Sequence, residues 1–122
     1  MTFWHKDGNS TACGHGTIAL GAWAVQTGRV GADPDGVTDV VVDVPSGRVT
    51  ARVTCVDGEV SSVVFQNVAS YVLGRQIRVC TSRGDVAVDL SYGGAIYATL
   101  PASSFGLEVT PEHYIRSVGH GA

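Results

Sequence analysis

The sequence predicts a mixed α+β fold in which an antiparallel-rich, curved sheet wraps around a central buried helix. Two observations predict it. The first is a helical segment over 14–27 that is apolar nearly all round: Ile18, Ala19, Leu20, Ala22, Trp23, Ala24 and Val25 leave almost no polar face. A helix lying on a surface keeps a polar stripe, so this one requires cover on every side. The second is a set of about six short, Val-rich segments that alternate in polarity and are separated by tight-turn residues.

The helix is expected to start at Gly14 and to close at Gly28, where a left-handed cap is usual. Strands follow over 37–44, 48–56, 60–65, 76–81, 85–90 and 95–100. Pro45-Ser46-Gly47, Asp57-Gly58 and Ser82-Arg83-Gly84 tolerate the dihedral angles of tight hairpins, so the strands form an antiparallel meander. The stretch 32–36, Ala-Asp-Pro-Asp-Gly, is a polar surface loop. Tyr92-Gly93-Gly94 interrupts a strand pattern, which marks either a plain bend or a close approach of the backbone to something else; the bend is the simpler reading. Thr110-Pro111-Glu112 carries a threonine cap, a first-turn proline and an acid, and so opens a last helix towards Val118. The expected organisation is one sheet-plus-helix domain over 1–109, with a helix beginning in 110–122.

The chain has 122 residues, 44% of them hydrophobic and 16% charged, which suits one domain with a buried core. A net charge of -3 and eight scattered basic residues argue against nucleic acid or an anionic membrane as partner. The apolar run over 18–25 is too short to span a bilayer, and nothing basic precedes it in the manner of a secretory leader, so a cytoplasmic location is expected. Three cysteines without paired spacing favour free thiols over a disulfide framework or zinc site. His5, His113 and His120 lack ligand-like spacing, and no metal site is expected.

The chemistry points to Cys13, at the mouth of the helix. The first turn of a helix offers unpaired N–H donors and a partial positive charge, which favour a thiolate and also hold a carboxylate. One short loop can thus supply a base and an anchor, as removal of the α-proton of an amino acid requires. A lone cysteine is otherwise most often an inert buried thiol. Cys55 shares strand parity with Val49, Ala51 and Val53 and belongs to the core, whereas Cys80 shares parity with Arg78 and Ser82 and is partly exposed. Gly14 and His15 offer backbone N–H groups to the carboxylate; the His15 ring either tunes the thiol or makes a structural hydrogen bond.

ACGHGTIALG at 12–21 resembles the first cysteine motif of the proline racemase family, which includes hydroxyproline epimerases and trans-3-hydroxyproline dehydratases. The resemblance continues, in order and spacing, through DVPSGRVTA at 43–51, VFQNVASYV at 64–72 and VDLSYGGAIYA at 88–98. The family consists of two similar halves around one cleft, each half giving one catalytic residue, in the fold also seen in diaminopimelate epimerase. This chain resembles part of the first half, and the motif of the second site has no counterpart in it. The resemblance therefore implies Cys13 as a catalytic residue, Gly14 and His15 as substrate-binding residues, no cofactor, and a small cyclic amino acid, proline or a hydroxyproline, as ligand. It also implies a partner, either the second half of the enzyme or another copy of the chain, so that the fragment alone is expected to be inactive. Racemisation or epimerisation is the expected reaction. Dehydration of trans-3-hydroxy-L-proline is the alternative, since in the dehydratases a threonine typically replaces the second cysteine; Ser10-Thr11 and Ala19-Leu20-Gly21 are nearer to that branch. A non-catalytic carboxylate-binding or partner-binding remnant is the third reading.

Overall fold

A computed structural model describes residues 1–6 and 8–113. They divide into two compact units, one of Met1–Ser70 with Gly93–Ala95, the other of Tyr71–Tyr92 with the residues from Ile96 onward. Among the described residues the elements run β1 (Phe3–His5), β2 (Gly8–Ser10), α1 (Gly14–Gln26), β3 (Val37–Val44), β4 (Gly47–Val56), β5 (Glu59–Gln66), β6 (Tyr71–Thr81), β7 (Gly84–Tyr92) and β8 (Ile96–Thr99). Short 3₁₀ turns follow at Ala102–Phe105 and Pro111–His113. Among the described residues the sheets are three and antiparallel: β1-β2, β3-β4-β5 and β6-β7-β8.

The first unit is built on β3-β4-β5. Alternation puts Val40, Val42 and Val44 of β3 and Val49, Ala51, Val53 and Cys55 of β4 on one buried face. Each fully buried valine contributes about 1.5–3 kcal/mol relative to exposure, which makes this row the chief support of the unit. The opposite face carries the ion pairs Arg48–Asp43 and Arg52–Asp39, both in direct cross-strand register. Two residues, Pro45 and Ser46, join β3 to β4. Asp57 and Gly58 join β4 to β5 with φ of 51° and 80°, the paired positive values of a type I′ turn, whose twist matches that of the strands.

Helix α1 lies on this sheet through a stripe of Thr17, Gly21 and Ala24, all buried. Ile18, Leu20 and Val25 flank the stripe and are half-buried, while Ala19, Trp23 and Gln26 are exposed. The Arg29 guanidinium stands 5.0 Å from the Trp23 ring centroid. Gly28 takes φ +68°, the left-handed close expected there. The β1-β2 hairpin was not expected; its Phe3 is buried in the same core.

In the second unit β6 begins five residues before the expected start at 76. Its register slips between Val72 and Gly74 and again between Gly74 and Ile77, and Gln76 has φ +53°. The Gln76 N–H donates to Asp89 Oδ1 at 2.8 Å instead of to a ladder carbonyl. The last helix, expected over 110–118, begins as the 3₁₀ turn Pro111–His113; the remainder of that expectation lies outside the described residues. Among the described residues no helix is long and apolar enough to cross a membrane.

Candidate active site

Cys13 is the N-cap of α1, with extended backbone angles of φ -152° and ψ 97°. Helices are usually capped by a side-chain oxygen that takes an N–H of the first turn. Cys13 makes no such bond. The first intrahelical bond runs from the Thr17 N–H to the Cys13 carbonyl at 3.0 Å. The N–H groups of Gly14, His15 and Gly16 therefore have no intrahelical acceptor, and with the helix dipole they form a place for an anion. The buried Thr17 hydroxyl donates to the same Cys13 carbonyl at 2.9 Å, fixing the first turn from within.

The glycines on either side of His15 make room. A Cβ on Gly16 would stand 3.0 Å from Cys13 Sγ and 3.0 Å from the Phe3 ring, and one on Gly14 would stand 3.2 Å from the Phe65 ring. The thiol is thus half-buried, against Gly16 on one side and near the exposed His15 on the other. His15 Nε2 is 3.6 Å from Sγ and Nδ1 is 3.8 Å from it. A sulfur almost equidistant from both nitrogens is not in line with a single lone pair, so the imidazole is a polar neighbour of the thiol rather than its aligned hydrogen-bond acceptor. The three expected site residues, Cys13, Gly14 and His15, accordingly stand together at one helix start.

The loop before Cys13 is held from several directions. Ser10 Oγ donates to the Ala12 carbonyl at 2.6 Å, the Ser46 N–H donates to the Thr11 carbonyl at 3.1 Å, and Thr11 Oγ1 donates to the Gly94 carbonyl at 2.6 Å. Asn67 Nδ2 donates to the neighbouring Gly93 carbonyl at 2.8 Å. Thr11, Asn67 and the Gly93-Gly94 pair were not singled out by the sequence as site residues. Their one signal was the double glycine, which forms the bend expected there and in addition brings Gly94 close to Ala12 of the same unit.

The other candidates lie elsewhere. Cys55 is 3% exposed within β4, as its parity requires. Cys80 is exposed on β6, where a hydrogen bond with Asp85 pushes the thiol above its ordinary value, with desolvation in the same direction. His113 Nδ1 accepts the Glu108 N–H at 3.0 Å, a local structural bond. Among the described residues no group of three or more His, Cys, Asp or Glu side chains is placed to hold a metal ion.

Comparison with known proteins places the chain as a whole. The proline racemase family model matches residues 1–121. A trans-3-hydroxy-L-proline dehydratase of Colwellia psychrerythraea is 41% identical over 120 residues, covering 98% of this chain and 34% of the relative; the human enzyme of the same name is 40% identical over 113 residues, covering 89% and 32%. The chain spans about a third of the length of the curated relatives it matches. A solved hydroxyproline epimerase from Agrobacterium vitis, with bound trans-4-hydroxy-L-proline, superposes with a TM-score of 0.75 at 28% identity over 94% of this chain and 34% of that one. A probable proline racemase from Agrobacterium radiobacter, with bound carbonate, gives 0.73 at 26% identity, covering 89% and 32%. Matched by the family model over residues 1–121 and by these solved structures over 89–94% of its length, the chain belongs to the proline racemase family.

Proposed function

We propose that the protein is a cofactor-independent enzyme that removes the α-proton of proline or a hydroxyproline, with Cys13 as one of two acid–base groups on opposite faces of the α-carbon. The observation that carries this reading is the uncapped helix start: Cys13 occupies the N-cap position yet leaves the N–H groups of Gly14, His15 and Gly16 for a ligand. A substrate carboxylate held there sets the α-carbon beside the sulfur. As the Cys13 thiolate takes the proton, negative charge spreads into the carboxylate, and the same N–H groups stabilise it more in the transition state than in the ground state. Gly14 and His15 act through their backbone. Cytoplasm is the setting we assign to this chemistry.

After proton removal two outcomes are open. Return of a proton from the opposite face inverts the centre; loss of the 3-hydroxyl, leaving as water with a proton from the enzyme, dehydrates the substrate. The curated relatives named trans-3-hydroxy-L-proline dehydratase, at 40–41% identity, favour dehydration, and the A. vitis epimerase favours inversion. The group that decides would come from the second half or from another copy of the chain. In the same reading α1 is the central helix of one half of a diaminopimelate epimerase-like fold, with 1–109 as the domain bearing the first cysteine motif and 110–122 leading to the other half. The apolar yet exposed Ala19 and Trp23 support further cover on that helix.

The test is solvent exchange. The full-length protein is incubated in heavy water with L-proline, trans-4-hydroxy-L-proline or trans-3-hydroxy-L-proline, and α-deuterium and products are followed by NMR. Deuterium uptake or a pyrroline product is expected with one of the three and lost in Cys13→Ser. Unchanged turnover in that variant would remove Cys13 from the mechanism.

A further inference from the structure

The N-cap of α1 is held from outside rather than by its own side chain. A serine or aspartate cap fixes the first turn by taking one of its N–H groups, and the site described above needs those groups free. Something else must then fix the loop that delivers Cys13. We infer that Thr11 and Asn67 are positioning residues that clamp the Gly93-Gly94 turn onto this loop, so that the first-turn N–H groups stay preorganised for a carboxylate. The inference rests on the carboxylate-anchoring reading given above.

Four observations support it. Thr11 and Asn67 donate to consecutive carbonyls, those of Gly94 and Gly93, at 2.6 and 2.8 Å, so two successive peptides of the turn are each held by a side chain. Gly94 is buried with φ +97°, and a Cβ on it would stand 3.0 Å from that of Ala12, the residue before Cys13. Only glycine combines that dihedral with so close an approach. The Gly93 N–H closes the turn on the Ala95 carbonyl at 3.0 Å, and Thr11 is held in addition through its own carbonyl by the Ser46 N–H. Thr11 and Gly94 are 83 residues apart, so this contact exists only in the folded chain.

The experiment uses ¹⁵N-labelled full-length protein with Thr11→Val, which keeps the branched shape and loses the donor, Thr11→Ser, which keeps the donor, and Asn67→Ala. The amide resonances of Gly14, His15 and Gly16 are compared with those of Ala22, Ala24 and Val25 on the same helix, and pyrrole-2-carboxylate binding is measured by calorimetry. Thr11→Val and Asn67→Ala are expected to move or broaden the first three resonances alone and to weaken binding about three- to tenfold, the scale of one lost hydrogen bond; Thr11→Ser restores both. Wild-type resonances at Gly14, His15 and Gly16 in both variants, or equal changes along the whole helix, would overturn the clamp. If the unaltered protein does not bind pyrrole-2-carboxylate, the anchoring reading fails, while the clamp is still decided by the resonances.

Discussion

Gly21 of α1 lies so close over Ala51 of β4 that a side-chain carbon on Gly21 would overlap the Ala51 Cβ. The missing side chain therefore sets how near the helix comes to the sheet, and with it the height of the Cys13 loop above β4 and β5. Gly→Ala within a helix gains about 1 kcal/mol, whereas overfilling a close-packed core costs about 1–3 kcal/mol. Ala51 is fully buried on the middle strand of its sheet and has nowhere to retreat. The cost should win, and Gly21→Ala is expected to lower stability by up to about 2 kcal/mol, read as a lower urea midpoint at unchanged slope. A variant as stable as the parent would mean that α1 lifts from β4 without loss.

Asp39 and Asp43 are each held below the ordinary carboxylate range, first by the hydrogen bond from Arg52 or Arg48 respectively and also by its charge. A carboxyl with a lowered folded-state value contributes stability that is present above its unfolded-state value and is lost as pH falls through the folded one. Both pairs are exposed, so water screens them and the loss in acid should be small. Carboxyl-detected NMR titration should find Asp39 and Asp43 titrating below the free side chain, and Arg52→Gln should return Asp39 alone to its ordinary value. An Asp39 midpoint indifferent to Arg52→Gln would show that the pair does not persist in solution.

What was legible in the sequence was local. β3 occupies 37–44 as expected, because strict alternation leaves one register in which Val40, Val42 and Val44 all face inward. The helix start that carries the candidate residues Cys13, Gly14 and His15 was legible too, because the apolar run of α1 begins directly after it. The early half of β6 was hidden because two register slips and Gln76 at positive φ break the side-chain parity on which strand recognition depends. The three-residue strands β1 and β2 were hidden because their pairing leaves no periodic trace, and Phe3 is buried through contacts made elsewhere. Thr11 and Asn67 escaped for a different reason: their partners lie 83 and 26 residues away, on a turn whose return to the site no local pattern encodes.

The three thiols should separate by reactivity. Cys55 is shielded within β4. Cys80 is open to reagent, but its bond with Asp85 reduces the thiolate it presents near neutral pH. Cys13 is half-buried at a helix mouth whose unpaired N–H groups favour an anion. Iodoacetamide near neutral pH should therefore alkylate Cys13 first, Cys80 next and Cys55 last, as followed by peptide mapping. Faster modification of Cys80 than of Cys13 under native conditions would remove the support for Cys13 as the reactive thiol of the chain.

Inversion at an α-carbon requires one group to take the proton and another to return one on the opposite face. Among the described residues Cys13 is the one thiol at a helix start; Cys55 sits in the core of β4 and Cys80 on β6, so neither supplies the opposing group. Residues 1–122 produced by themselves are thus expected neither to racemise proline or 4-hydroxyproline nor to dehydrate trans-3-hydroxyproline, with slow α-deuterium uptake as the most they achieve. Supplying the second half should restore one of these activities, and Cys13→Ser should abolish it again. Chiral chromatography reads inversion and NMR in heavy water reads exchange. Robust turnover by the 122-residue chain as a monomer would refute the two-group mechanism, whereas turnover confined to a dimer would mean that two copies of Cys13 face one another across a single substrate.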